Sequence, residues 1–402
     1  AVAEYFELDN FGVKAAPPIL SDEDVRATKI LESSTMKIGS KYEVALLWKN
    51  DVVEMPESYK MAMQRLVGIE KKMKRLPEFG AAYNAIMNTY IEKQYARKLN
   101  ADELHTPSKK LWYLPHFAVY NPNKPSKIRL VFDAAAVSNG ISLNSQLLKG
   151  PQNYKALASI IFHFREGAIG VCADIQEMFH QVVIKAEDRC SQRFLWRGGD
   201  ASKDPEVFEM VAMTFGAACS PCIAQHVKTK NALEHKNTNP RAIKSILNHH
   251  YVDDMVDSFS SVEEAIKVTR EVCAIHKDAG FNLRGFISNS TDVMNQLGGS
   301  EANVSLKNKE NFALEKVLGL YWQPSSDEFK YELKFHYVSE EVLSGYRSPT
   351  KRELLSMVMS IFDPLRFLCN FTISAKLLLR DVWKNEICWD DPLPASINEL
   401  WQ

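Results

Sequence analysis

The sequence runs to 402 residues, with 46% hydrophobic and 25% charged residues and a formal net charge of −1. That length holds two or three domains of about 100–200 residues each, and the balance is ordinary for a globular protein. No run approaches the ~20 apolar residues of a membrane span, and no signal peptide opens the chain, so no membrane partner is expected. The near-zero charge says nothing about partners, so any nucleic-acid contact would rest on local positive tracks. Candidates are Lys71, Lys72, Lys74 and Arg75, then Lys109 and Lys110, then Lys124, Lys127 and Arg129. Each cluster alone reads as a solvated face. Seven scattered cysteines suit a reducing intracellular compartment, and Cys219-Ser-Pro-Cys222 reads as small residues at a backbone turn rather than a zinc or redox site. The chain opens on Ala1 and closes on Trp401-Gln402, which gives the expectation of a piece cut from a longer polyprotein.

In chain order, residues 42–48 read as a strand. From Pro56 to about Leu99 the pattern is helical. Met63, Leu66, Ile69, Met73 and Leu76 recur at three- and four-residue steps, Pro77 interrupts, and Tyr83, Ile86, Met87 and Tyr90 resume. Residues 112–120 and 128–132 read as strands about a turn at Asn121-Pro-Asn-Lys-Pro125. Residues 154–165 read as a helix, and Ile169–Ala173 as a short apolar strand ending on Asp174. Residues 222–248 read as one helix, 251–259 as a hairpin with acids at its tip, and 262–279 as a helix closed by Gly280. Strands are expected at 315–323 and 329–337. Thr350-x-x-Glu353 is a capping box opening a helix at 354–362, which Pro364 ends. The mixture predicts an α+β core with helices at both ends.

The segment His249-His-Tyr-Val-Asp-Asp-Met-Val-Asp-Ser258 carries the strongest chemical signal. Two adjacent aspartates on or beside a hairpin turn stand above a buried ribbon. Asp-Asp is poor turn chemistry, because neither residue takes positive φ freely. Two carboxylates so close also repel, and one gains a proton unless a cation compensates. A divalent ion with a taste for hard oxygen, Mg²⁺, resolves both difficulties. Taken alone, such a pair reads as a solvated acidic turn. Asp174 is a second acid at a strand end, which reads either as a helix N-cap or as a partner of Asp253 across one sheet. Carboxylates from two strands can cradle two metals about 3.5–4 Å apart.

Ala173-Asp-Ile-Gln-Glu-Met-Phe179 followed by Tyr251-Val-Asp-Asp254 resembles motifs A and C of reverse transcriptases. The wider wording is similar to the BEL/Pao retrotransposon branch. Phe6-Glu-Leu8, Lys127-Ile-Arg-Leu-Val-Phe-Asp-Ala134, Leu143-Asn-Ser-Gln-Leu-Leu-Lys-Gly-Pro151, Gln192-Arg-Phe-Leu-Trp196 and Phe215-Gly-Ala-Ala-Cys-Ser-Pro221 all carry it. So do Ala279-Gly-Phe-Asn-Leu-Arg284, Val317-Leu-Gly-Leu-Tyr-Trp322 and Thr350-Lys-Arg-Glu-Leu-Leu355. Each string is weak alone; in order, from about 105 to 395, they form a specific set.

The resemblance implies a right-hand polymerase with fingers, a ferredoxin-like palm built on an antiparallel sheet, and a helical thumb. It divides the chain into an N-terminal segment 1–104, fingers and palm 105–335, and thumb with the start of a connection 336–402. Asp174, Asp253 and Asp254 would be the catalytic carboxylates. The metal ligands would be Asp174, Asp253 and the carbonyl of Ile175, holding two Mg²⁺ ions, with Mn²⁺ as a substitute. Lys127, Arg129, Phe179 and Gly216 would bind the incoming dNTP, with Phe179 as the steric gate against a ribose 2′-OH. Without the motif, Phe179 reads as a core residue and Arg129 as a strand-surface charge. Ser220, Pro221, Tyr251, Leu318 and Gly319 would meet template or primer, and residues 349–385 would track an RNA–DNA hybrid by shape.

The implied partners are RNA and DNA template-primer, dNTP and the rest of the polyprotein: protease, ribonuclease H and integrase. The implied setting is a cytoplasmic virus-like particle, or the nucleus. Three positions stand out against the wider family or the branch. Phe215 replaces a glutamine common outside the branch, Arg284-Gly285-Phe286 replaces Arg-Lys-Trp, and Arg366 replaces a glycine. With the second change no lysine is assigned to protonate the pyrophosphate, Lys277 being a weak substitute. Neither a protease Asp-Thr-Gly nor an integrase zinc set is present, and no ribonuclease H carboxylate set is identified. Asp390 and Asp391 read as a solvated turn, and His249-His250 as strand packing. The readings that compete are a catalytically silent nucleic-acid-binding relic of such a polymerase and, on a similar palm, another metal-dependent phosphotransferase such as a nucleotide cyclase.

Overall fold

A computed structural model of the chain describes residues 20–121, 124–298, 314–331, 333, 335 and 338–401. The motif at Phe6-Glu-Leu8, the Pro122-Asn123 tip of the expected turn, and much of the expected strand beyond Lys330 lie outside the described residues. The fold is α+β, in two units that interleave along the sequence. One contains residues 1–153, 176–236 and 274–282; the other contains 154–175, 237–273 and 283–402. Their limits do not coincide with divisions at 104 or 335.

In the first unit, the helices Tyr59–Arg75 and Pro77–Glu92 form around the interruption that Pro77 predicts. A proline tolerates the first turn of a helix because its missing N–H has no intrahelical partner there. Leu66 and Met73 of the first helix and Tyr83, Met87 and Tyr90 of the second are buried, as their spacing requires. Strands His116–Asn121 and Lys124–Phe132 pair antiparallel, with Val119 opposite Arg129. The helix expected over 222–248 is in fact two, Ser220–Glu234 and Pro240–Asn248. Pro240 follows Asn239, and a proline ring cannot continue a preceding helical turn. All seven cysteines are free, and Cys219 and Cys222 are buried. Burial pushes their thiols up, to about 12 and about 11, so both are protonated packing groups.

The second unit holds α1 (Leu157–His163), β1 (Ile169–Ile175), α2 (Pro240–Asn248), β2 (His250–Tyr251), β3 (Asp254–Phe259) and β4 (Leu283–Ser288). The four strands form one antiparallel sheet in the order β2-β3-β1-β4. A second, three-stranded sheet consists of β5 (Glu315–Val317), β6 (Leu320–Gln323) and β7 (Glu328–Lys330), joined as consecutive hairpins. The two sheets share a core of Ile160, Phe164, Cys172, Val256, Val317 and Trp322, against which Tyr251 and Leu318 also pack. Trp322 anchors it, with its ring edge-on to Phe164 at 4.9 Å and its indole N–H donated to Asp327 at 3.0 Å. Because side chains alternate along a strand, Cys172 and Val256 lie on the same face as Asp174 and Asp254.

A one-turn helix, Glu340–Leu343, is followed by α3 (Lys351–Met359), α4 (Cys369–Lys384) and α5 (Ala395–Trp401), which pack around a core that includes Leu354, Val358, Leu379, Val382 and Ile397. The expected capping box is present. Thr350 Oγ1 accepts from the Glu353 N–H, and a Glu353 carboxylate oxygen accepts from the Thr350 N–H. Between α3 and α4, the Asp363 carboxylate accepts from the N–H groups of Phe367 and Leu368 at 3.0 and 2.7 Å. Within that turn Arg366 has φ 59. The left-handed region costs a residue with a Cβ roughly 1–2 kcal/mol, which is the physical reason a glycine suits this position. Replacing Arg366→Gly is expected to stabilise the helices on either side by about 0.5–1 kcal/mol after the extra chain entropy of glycine is counted. Amide hydrogen exchange across 351–384 reads the change as slower exchange.

Candidate active site

The acids of the second unit are brought together by strand register. β1 is apolar and buried from Gly170 to Ala173, and Asp174 emerges from it half-exposed. In the neighbouring hairpin His250 pairs with Met255 and Tyr251 with Asp254, which leaves Val252 and Asp253 as a two-residue loop. Asp253 is therefore on the tip and Asp254 opens β3. Val252 takes φ 56, while Asp253 has no positive φ. Positive φ at the first loop residue alone is the sign pattern of a type II′ turn, which matches the twist of the flanking strands. A β-branched residue there is strained by about 1–3 kcal/mol. The strain falls on Val252, which sequence reasoning did not single out, and it spares both aspartates.

Asp254 stands directly opposite Asp174 across the β3–β1 ladder. Directly opposed residues share a face, with Cβ atoms about 5 Å apart. The Ile175 N–H donates to the Asp253 carbonyl at 2.9 Å, which ties the loop to the end of β1. On the other edge of β1, Arg284 of β4 is also opposite Asp174, and its Nε donates to Asp174 Oδ2 at 2.9 Å. Asp174, Asp254 and Arg284 thus share one end of the sheet, with Asp253 on the adjoining loop. No local pattern in the sequence marks the Arg284–Asp174 contact, since its partners are 110 positions apart.

The donor set suits Mg²⁺, which takes hard oxygens and is held by one or two carboxylates together with substrate phosphates rather than by an all-protein cage. Among the described residues no three acidic, histidine or cysteine side chains converge into a ready-made cage. Burial, and then the charges of Asp253 and Asp174, push the Asp254 carboxyl up to about 7. Negative charge in excess of its compensation is the electrostatic signature of a cation site.

The other face of β3 carries Asp257, fully buried. Arg241 of α2 donates to both its oxygens, at 2.9 and 3.1 Å, and His249 Nδ1 lies 2.9 Å from one of them. Burial acts to raise this carboxyl. The hydrogen bonds and charges of His249 and Arg241 outweigh burial and hold it well below the usual carboxylate range. His250 is buried too, with Nδ1 3.0 Å from the Ser245 carbonyl. The histidine pair therefore packs the hairpin, and His249 also supports Asp257.

The remaining candidates, for nucleotide and for template or primer, divide between the units. In the second, Tyr251 lies with its ring 6.2 Å from that of Tyr154, and Leu318 and Gly319 form the two-residue turn between β5 and β6, both at positive φ. In the first, Lys127 lies in the strand Lys124–Phe132, and its side chain is outside the described residues. Arg129 of the same strand is exposed, with its guanidinium 5.7 Å from the centre of the Phe215 ring. Phe179 is half-buried, 4.8 Å from that same ring. Phe215, noted in the sequence only as a departure, is thus the ring that links the two.

Gly216 has φ 126, and a Cβ there would sit 1.9 Å from the Phe132 carbonyl oxygen, so only glycine fits. Ser220 is buried, donating its hydroxyl to the Thr214 carbonyl at 2.8 Å, and Pro221 occupies the first turn of the helix Ser220–Glu234. Both shape the loop beside Gly216.

Comparison with known proteins gives a family match at the C-terminal end of the chain and a likeness of fold. Residues 350–402 match the family model described as the Pao retrotransposon-like RNaseH-like domain. Those residues form the helices α3, α4 and α5, which the sequence reading assigned to a thumb and the start of a connection. A solved foamy viral protease-reverse transcriptase in complex with double-stranded DNA superposes on 98% of this chain, with a TM-score of 0.52 at 15% identity. At that identity the likeness is one of fold. The chain spans 62% of the length of that relative. A second structure, of the Prototype Foamy Virus protease-reverse transcriptase, covers 67% of this chain and 33% of its own at 15% identity; its TM-score of 0.40 is too low to bear on the fold. No curated protein matches the chain by sequence.

The raised carboxyl of Asp254 has a consequence for stability. The folded protein keeps a proton there that the unfolded chain, with an aspartate near 3.9, has already released. Its contribution is fully present below about pH 4 and is lost as pH rises through about 7. In metal-free buffer, Asp254→Asn is expected to flatten the fall in stability over that window. Urea midpoints at a series of pH values, compared with the parent, measure it.

Proposed function

We propose that the chain is a region of a BEL/Pao-type retroelement polyprotein, as the family match over residues 350–402 supports, and that it is an RNA-directed DNA polymerase, extending a primer 3′-hydroxyl with dNTPs on an RNA or DNA template. The observation that carries this reading is the opposition of Asp174 and Asp254 across β1 and β3, with Asp253 on the loop between β2 and β3. When bound, two Mg²⁺ ions supply activation of the attacking hydroxyl and stabilisation of the leaving pyrophosphate oxygen in an in-line displacement.

The chain's own residues do the rest. Asp174 and Asp253 would hold the metals, with the Ile175 carbonyl as an added ligand, and Asp254 would supply further negative charge beside them. Val252 and the buried Asp257–Arg241 pair fix the hairpin, so the carboxylates need little reorganisation. In the first unit, Lys127 and Arg129 grip triphosphate oxygens, with Arg129 able to do so bidentately. Phe179 lies under the sugar, and Gly216 lets backbone approach the nucleotide. Ser220, Pro221, Tyr251, Leu318 and Gly319 place template and primer. On this reading the first unit carries fingers, the sheet β2-β3-β1-β4 is the palm, and α3 and α4 belong to a thumb that follows the hybrid by shape. Mn²⁺ substitutes for Mg²⁺. The double-stranded DNA bound by the foamy viral relative supports a nucleic-acid duplex as the partner here, within a polyprotein that also supplies protease, ribonuclease H and integrase.

Primer extension tests it. On a poly-A template with an oligo-dT primer and Mg²⁺, the chain is expected to add dTMP, and Asp253→Asn to lower the rate by at least about a thousandfold. Extension that survives this change removes the assigned mechanism. Binding of primer-template with no extension by the parent chain identifies the silent relic instead. Phe179→Ala is expected to reduce the preference for deoxy- over ribonucleotides by at least about tenfold, read as the ratio of kcat/KM for dTTP and UTP.

A further inference from the structure

The Arg284–Asp174 pair is the feature of the site that the metal mechanism leaves unused. Arg284 is aimed at Asp174 by the backbone. The β4–β1 register shifts between Arg284 and Ile287, and Gly285, inside the shift, has φ 66. A Cβ on Gly285 would meet nothing within 4 Å, so this glycine serves conformation, not space. A bulge of this kind re-aims the neighbouring side chain at the end of a strand. The guanidinium and the carboxylate it meets remain 49% and 41% exposed, so water screens the pair and it can exchange partners.

We propose, resting on the polymerase reading, that Arg284 is a phosphate-binding residue held in reserve by Asp174. It is the counter-ion of Asp174 before metal enters, and it turns to a nucleotide phosphate oxygen once a divalent ion takes the carboxylate. Charge arithmetic requires the second half. Asp174 cannot serve a dication and a guanidinium equally, and an arginine is never neutral near pH 7. Left beside a dication without an anion, the guanidinium would be repelled. The ligand that brings anionic oxygens to this face of the sheet is the triphosphate, and the planar fork of an arginine donates to two of them at once.

The pair should therefore oppose metal binding and favour nucleotide binding, two effects of opposite sign from one side chain. Mn²⁺ binding to the full chain without nucleotide, followed by electron paramagnetic resonance of the free ion, measures the first. Binding of dTTP at saturating Mn²⁺ measures the second. Arg284→Gln is expected to tighten Mn²⁺ by about two- to fivefold and to weaken dTTP by about tenfold. Arg284→Lys keeps the charge but not the fork; it should hold Mn²⁺ as the parent does and still lose dTTP affinity, and it serves as the test should the glutamine variant fail to fold. Unchanged affinities, or both moving in the same direction, would overturn the assignment. A parent chain that binds no Mn²⁺ fails at an earlier point, since it removes the metal site and the polymerase reading with it.

Discussion

The mutual repulsion of three aspartates, forced into proximity by backbone hydrogen bonds, is the constraint around which the second unit is arranged. The β3–β1 ladder sets Asp254 against Asp174, and the Ile175 N–H fastens the Asp253 carbonyl beside them. Each rung of that ladder is ordinary. The outcome is not, because a sheet end with this much like charge lacks the compensation it needs from the protein alone. Asp254 responds by keeping its proton up to about pH 7, and Asp174 by recruiting Arg284. Both responses lower the like charge at this end of the sheet.

The surrounding structure resists the tendency of such a site to spring open. Beneath the acids, Trp322 and Phe164 fill the core on which β1 and β3 rest, and Gly170 lets both rings come close to the strand. On the opposite face, Asp257 is buried with its own counter-ions, Arg241 and His249. Removing one partner of a buried, hydrogen-bonded charge is far more costly than the pair is stabilising, so this network fixes the position of β3 relative to α2. Strain is confined to Val252, at the apex. The strained Val252, the perturbed Asp254 and the buried Asp257 all lie within residues 252–257.

Much of this was legible in the sequence, and what was legible was local. Asp174 interrupts an apolar run, and Asp253-Asp254 sit between apolar pairs, so a window of ten residues suffices to mark them. The capping box at Thr350 and Glu353 and the break at Pro77 are likewise short-range, and both form as read. Asn239-Pro240 was an equally local signal for a helix break and was passed over because the flanking residues keep a helical period. Other features depend on register. No window reveals that Arg284 faces Asp174, that Arg241 neutralises Asp257, or that Phe215 joins Arg129 to Phe179. Arg366 lies between these cases: its oddity was visible as a missing glycine, and its physical meaning, a left-handed backbone, needed the fold.

The central claim is that Asp174 and Asp253-Asp254 hold metal together. Affinity cleavage tests it most directly. Fe²⁺ bound in place of Mg²⁺, with ascorbate and peroxide, generates hydroxyl radicals that cut the backbone beside the ion. The account predicts two principal cuts in the parent chain, one around residue 174 and one around 253–254, both suppressed by excess Mg²⁺ and both lost together in a variant lacking either acid. Cuts confined to one of the two segments, or placed elsewhere in the chain, would contradict it.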